Sequence, residues 1–294
     1  MTHAFAARGL GVIAAAAIVS GVGAARATPQ VFSSKTVGVR VDALVTVNGQ
    51  PVAGLKAADF ELRDNGVLQT IDSIDVGDMP VNVVLAFDVS ASTAGKRLID
   101  LQSATRLLLD DLRPVDRAAL ITFNHAVAPR VALTSNVSQV KSVVDGLAPS
   151  GGTSLLEGVY VAVVTTLAEP GRSFVIVCTD GRDTTSWLQP DEVIESAKRS
   201  NAVIYVVASA DARRWAPLKS LTDVTGGRMI EIESSAQIGA EFRRILQDFR
   251  SRYVLTFTPA GVETGGFHRL DVRVRRGGMN VTARPGYVGE GPAR

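Results

Sequence analysis

Two patterns of hydrophobic and polar positions alternate along this chain. Over residues 36–47 (TVGVRVDALVTV) apolar and polar residues alternate with period two, as in a strand with one buried face, and Asn48-Gly49 follows as a turn signal. Phe60-Glu61-Leu62-Arg63 before Asp64-Asn65-Gly66 predicts another strand and tight turn, with residues 67–76 leading out. At Val81 the pattern changes. Residues 81–87 (VNVVLAF) form a nearly unbroken apolar run, which a parallel strand buried on both faces requires. Residues 96–112 then carry Leu98, Leu101, Leu108 and Leu112 at helical spacing.

That alternation continues for most of the chain. Strands are expected over 117–123, 127–133, 173–178, 202–208 and 228–232, the second of them weak enough to be an antiparallel edge. Helices are expected over 137–147 (capped by Asn136 or Ser135), 153–167, 191–199 behind Pro190, 215–225 and 236–249. Strands alternating with helices of this length predict an α/β fold with a doubly wound, mostly parallel sheet over 80–251. After Arg252 the period-two pattern returns at 253–258 (YVLTFT), 268–275 (HRLDVRVR) and 279–284. The β segments 36–79 and 252–290 are each too short to be a stable sheet alone. The economical reading is one small discontinuous β-domain with the α/β unit inserted in it.

Composition refines this without changing it. Aromatic residues make up only 5% of the 294, so the core must rest on Val, Leu, Ile and Ala. A formal net charge of +2 predicts no strong attraction to nucleic acid or anionic membrane. The Arg273, Arg275, Arg276 group reads as the solvated face of a strand. Near the start, Arg8 precedes an apolar run over 9–23 (GLGVIAAAAIVSGVG) that is short and Ala/Gly-rich for a spanning helix, and Ala25-Arg26-Ala27 forms a small-x-small cleavage site. Residues 1–27 are therefore expected to be a signal peptide, with an uncleaved anchor as the alternative. The protein is expected to be exported, periplasmic or secreted, with no stable membrane span after cleavage. Cys178, the only cysteine, sits in a buried-strand run (FVIVC) and reads as a structural thiol.

Candidate chemistry is concentrated in three short pieces. Asp88-Val89-Ser90-Ala91-Ser92 follows the first buried strand, Gly151-Gly152-Thr153-Ser154 opens a helix, and Thr179-Asp180-Gly181 follows another buried strand. In a doubly wound sheet such positions share one edge, where ligands bind. Asp88 and Asp180 offer carboxylates, while Ser90, Ser92 and Thr153 offer hydroxyls. This small oxygen-only set suits a hard divalent cation, Mg2+ best, with Mn2+ or Ca2+ as alternatives. Two close carboxylates would repel without a cation. With one, its incomplete shell is open to an Asp or Glu of a protein partner, a binding device that needs no nucleophile.

Enzyme readings fare worse. The histidines are His3, His125 and His268, and His125 alone lies near the expected edge. A nucleophile elbow, a phosphate loop and a dinucleotide fingerprint after the first strand are absent. The expectation is a non-enzymatic binding module. The rivals are an assembly component with a vestigial metal site and, behind it, a metal-assisted hydrolase.

Together the three pieces resemble the von Willebrand factor A domain with its metal-ion-dependent adhesion site, over about residues 80–251. The resemblance implies that Asp88, Ser90 and Ser92 form a first ligand loop, Thr153 a second and Asp180 a third. It also implies that Asp183 is an acid beside the ligands. The sequence departs from the family pattern in having Ala91 where glycine is usual and Thr93-Ala94-Gly95-Lys96 where methionine commonly follows. With its flanks (VRVDALVTVNGQPVAGLKAADFELRDNGVLQTI and FHRLDVRVRR…VTARPGYV), nearly the whole of the chain after residue 27 is similar to bacterial VWFA-related proteins of the acidobacterial type.

Overall fold

The computed structural model describes residues 38–77, 79–167, 171–180, 183–209, 215–289 and 291. The expected signal segment, residues 1–27, lies outside them. Two hairpins come first. Strand β1 (Val39–Val47) turns into β2 (Gln50–Pro51) through Asn48-Gly49, with φ of 51° and 76°. Strand β3 (Phe60–Asp64) turns into β4 (Val67–Gln69) through Asn65-Gly66, with φ of 47° and 85°. Asn and Gly tolerate the left-handed backbone that such two-residue turns need. Strand β5 (Ile71–Val76) then leads to the α/β unit.

That unit runs β6 (Val81–Asp88), α1 (Lys96–Asp110), β7 (Arg117–Phe123), β8 (Val127–Thr134), α2 (Val137–Asp145) and α3 (Leu155–Leu167). It continues through β9 (Arg172–Thr179), α4 (Pro190–Arg199), β10 (Val203–Ala208), α5 (Ala216–Thr225), β11 (Arg228–Glu231) and α6 (Ile238–Arg250). The six strands order as β11-β10-β9-β6-β7-β8, all parallel except the β7–β8 pair. The chain moves outward from β6 to one side, then resumes on the other side with β9. The winding reverses between β6 and β9.

Every residue of β6 and of β9 is buried, as unbroken apolar runs predict. Alternate side chains serve opposite faces. Val83, Leu85 and Phe87 pack with Leu108 of α1, Val144 of α2 and Phe242 of α6. Val84 and Ala86 pack with Val159 of α3, Val193 of α4 and Leu218 of α5. The edge strand β8 is antiparallel, and Asn136 caps α2 by accepting from the Gln139 amide (3.3 Å). Helix α3 starts at Leu155, two residues later than its periodicity suggests. Backbone bonds from Ser154 to the Asn124 carbonyl (2.6 Å) and from Thr184 to the Thr153 carbonyl (2.9 Å) hold those two residues outside the helix.

The remaining strands are β12 (Tyr253–Phe257), β13 (Gly266–Val274), β14 (Asn280–Thr282) and β15 (Gly286–Gly289). They pair with strands from the start of the chain. One sheet is ordered β14-β1-β12-β5, with β2 on β1, and the other β15-β13-β3-β4. Val41, Ala43, Phe60, Leu62, Leu255 and Phe257 belong to the core these strands share.

Buried arginines join this β unit to the α/β unit. Arg252, 1% exposed, donates to the Tyr205 hydroxyl (3.1 Å) and to the carbonyls of Gly226 (2.6 Å), Asp42 (3.2 Å) and Thr282 (3.4 Å). Arg172 at the start of β9 donates through Nε to Asp42 Oδ1 (3.0 Å) and lies over the Phe249 ring. Arg284 donates to the Ser200 carbonyl (2.9 Å) and to Asn201 (3.0 Å) just past α4, and burial pushes its guanidinium down to about 10. Removing one member of a buried pair leaves the other charge uncompensated. Asp42→Ala should therefore lower the unfolding free energy by about 3 kcal/mol, read as a lower urea midpoint, whereas Asp42→Asn, which keeps the acceptor, should lose less.

Candidate functional site

Parallel strands end on a common edge, opposite the arginine junction. The loops after β6 and β9 flank the point where the winding reverses, and the loop before α3 lies beside them. Asp88, the last residue of β6, is 1% exposed. Its Oδ1 accepts from the Ser90 amide (2.9 Å) and its Oδ2 from the Thr179 hydroxyl (2.7 Å). Residues 91–93 then form one tight helical turn, closed by the Thr93 amide (3.0 Å) and hydroxyl (2.7 Å) on the Ser90 carbonyl. This turn brings Ser90 Oγ within 3.1 Å of Ser92 Oγ, and Ser92 Oγ donates to Asp180 Oδ1 at 3.0 Å.

Ala91 does not distort the loop. Among the described residues, positive φ outside glycine occurs only at Asn48 and Asn65, so position 91 needs no glycine freedom. The Ala91 amide donates to the Gly151 carbonyl (3.0 Å), and Ser150 donates to the Val89 carbonyl (2.9 Å). The first loop is thus tied to the second. Thr153, 5% exposed, receives its own support from the loop after β9: its amide donates to the Thr184 hydroxyl (2.9 Å). Gly151 must be glycine. Its φ is 72°, and a Cβ there would lie 2.1 Å from His125 Nδ1. His125 itself is exposed and lies against this glycine, on the rim of the edge.

All five expected residues come to this edge, and Asp88, Ser90, Ser92 and Asp180 are linked side chain to side chain. Gly181 lies outside the described residues. Asp183 serves its own loop, accepting from the Ser186 amide (3.0 Å). Glu157 of α3 holds the same loop, accepting from the amides of Trp187 (2.7 Å) and Leu188 (2.8 Å). Trp187 is left 77% exposed on that rim.

One participant is not apparent from the sequence pattern. Arg97, in the first turn of α1, forms an ion pair with Asp180 Oδ2. The Asp180 side chain is 4% exposed and that of Arg97 31%. Both oxygens of Asp180 are therefore engaged, one by Ser92 and one by Arg97. In the sequence, Lys96-Arg97 reads as the solvated start of a helix, and only the proximity of Arg97 to Ser92 hints otherwise.

Burial pushes the Asp88 carboxyl above its ordinary value of 3.8, and the negative charge of Asp180 adds to that, against hydrogen bonds from Ser90 and Thr179. Cys178 is buried beneath the edge, with its thiol pushed up to about 12. Among the described residues no group of three His, Cys, Asp or Glu side chains could hold a metal. A cation at this edge would rest on two carboxylates and three hydroxyls, a donor set of the hard kind.

The family model for the von Willebrand factor type A domain matches residues 82–244, the segment that builds the sheet and its loops. The chain belongs to the von Willebrand factor type A domain family. Domains of this family are protein-interaction modules and commonly bind a divalent cation. Among curated proteins the chain is similar to inter-alpha-trypsin inhibitor heavy chain H2 of Sus scrofa, 26% identical over 158 residues, covering 49% of this chain and 17% of that protein. The chain thus spans less than a fifth of that relative's length. Among solved structures it is similar to a von Willebrand factor type A protein from Catenulispora acidiphila (TM-score 0.51, 15% identity, 87% of this chain and 75% of that one). It is also similar to proximal thread matrix protein 1 from the mussel byssus (TM-score 0.52, 12% identity, 71% of this chain and 50% of that one). Among the described residues, no helix is long and apolar enough to cross a membrane.

A carboxyl whose value is raised by folding stabilises the fold in its protonated form. That contribution is complete below the unfolded value of 3.8 and is lost as pH rises through the folded value. In chelator at pH 7, Asp88→Asn should therefore melt at a higher temperature than the parent, with the gap closing towards pH 4. An Asp88→Asn protein that melts lower at pH 7 would contradict this account.

Proposed function

We propose that this chain is an exported, non-catalytic binding module that captures an acidic side chain of a protein partner through a divalent cation. The observation that carries the reading is the linked set Asp88–Ser90–Ser92–Asp180 at the reversal of the sheet. Asp88 and Asp180 would supply the charge that holds the ion, and Ser90, Ser92 and Thr153 neutral oxygens. Mg2+ suits this set best, with Mn2+ and Ca2+ as the other candidates. A divalent ion with so few protein charges supplies an electrophilic open position for a carboxylate. The repulsion between Asp88 and Asp180 is then relieved by the ion. Residues 80–251 would be the binding domain and the β segments 36–79 and 252–290 its support, with residues 1–27 directing export.

A second reading rests on the Arg97–Asp180 pair: an assembly component in which an arginine has taken over from the ion and the metal site is vestigial. Calorimetric titration of the purified protein with Mg2+, Mn2+ and Ca2+ separates the two. The binding reading expects heat of binding that Asp88→Ala and Asp180→Ala abolish, with both variants still folded. It also expects partners recovered from extracts of the source cell to be lost on adding chelator. No binding at millimolar ion would leave the assembly reading standing.

A further inference from the structure

Among the described residues, Arg97 is the one full positive charge found on the carboxylates of this site, and the chain itself supplies it. Its position is fixed by the turn over residues 91–93 and by Gly95, whose φ of 77° starts α1. Arg97 also lines an open cavity of about 240 Å3, together with Ser209, Glu231, Glu233, Ser234 and Ser235. The Ser209 hydroxyl reaches back to the Asp180 carbonyl (2.8 Å), so this cavity and the site share a wall.

Resting on the cation-binding reading above, we propose that Arg97 is a tethered counter-cation that competes with the divalent ion for Asp180 and turns towards the Glu233 side of this cavity when the ion binds. The charge count gives the reason. Asp88 and Asp180 carry two negative charges when ionised, and Arg97 cancels one of them while the ion is away. A divalent ion entering with Arg97 still in place would leave one positive charge too many in a partly buried site, where charges interact more strongly than in water. The guanidinium is planar and always charged, and the Arg97 side chain is 31% exposed, so it can turn from Asp180 towards solvent without losing its charge. The cavity offers it room, and Glu233 is among the residues that line it. Arg97 thus lowers the affinity of the free site for its ion and keeps Asp180 neutralised and in position until one arrives.

Calorimetric titration of Mn2+ into the parent protein, Arg97→Ala, Arg97→Lys and Glu233→Gln tests this, with each variant first checked for a cooperative thermal transition. Arg97→Ala should bind Mn2+ about tenfold more tightly than the parent, while Arg97→Lys, which keeps the charge, should stay within about twofold of it. Glu233→Gln should weaken Mn2+ binding by about twofold. Equal or weaker binding by Arg97→Ala would overturn the proposal while leaving the cation-binding reading intact. Unchanged binding by Glu233→Gln would overturn the turn into the cavity. Absence of Mn2+ binding from all four proteins would remove the cation-binding reading and this proposal with it.

Discussion

A charged guanidinium with almost no exposed surface is tolerable only where every direction offers a partner, and Arg252 meets that condition at the base of this molecule. Its acceptors come from β1, β10, β14 and the end of α5, elements far apart in sequence. None of them could move without stranding a buried charge. Arg172 adds the Asp42 carboxylate and the Phe249 ring, and Arg284 the end of α4. This junction fixes the starts of the parallel strands, and the sheet carries that order to the other edge. Eight residues of β6, at about 3.3 Å each, separate this fixed end from the edge that carries Asp88.

At the far edge the physics is the reverse. Here two carboxylates are brought together, and among the described residues Asp180 is paired with an opposite charge, that of Arg97, while Asp88 is held by hydrogen bonds alone. The hydroxyls of Ser90, Ser92 and Thr179 hold them by hydrogen bonding without cancelling their charge. Stability is spent at this edge and recovered elsewhere. Burial raises the Asp88 carboxyl, which marks a group whose surroundings do not favour its charge. The backbone of this edge is held by the bonds from residues 89, 91, 150 and 154 across to neighbouring segments.

Much of this was legible in the sequence because it depends on periodicity and on strand ends. Runs such as VNVVLAF can be buried on both faces and little else, so the strands that lead into the Asp88 and Asp180 loops announce themselves. Asn48-Gly49 and Asn65-Gly66 are needed for their backbone angles, so those turns were legible too. Strand β15 was not, because Gly286 and Gly289 bound a stretch too short for any period to register. The arginines were the larger omission. Arg97, Arg172, Arg252 and Arg284 look like surface charge in one dimension, and their partners lie from 26 to 210 residues away, apart from the neighbouring Gly286 carbonyl that Arg284 also reaches. Asp64 is a similar case: it closes a turn, yet its carboxylate is buried and bonded to His268 and Tyr287. A charge deep in the fold is chosen by what surrounds it, and sequence spacing does not record that.

The pairing of β1 with β12 and β14 also bears on how the molecule would carry mechanical load. Because the β unit is built from both flanks of the chain, a pull applied between Val39 and Gly289 is borne by strands lying side by side in that unit. The α/β unit hangs beside this path and is spared the tension. A pull on something held at the Asp88 edge takes another course, running lengthwise down β6 and β9 into the arginine junction. The weak point under such a load would be the set of contacts between the two units, and the grip could outlast the scaffold that presents it.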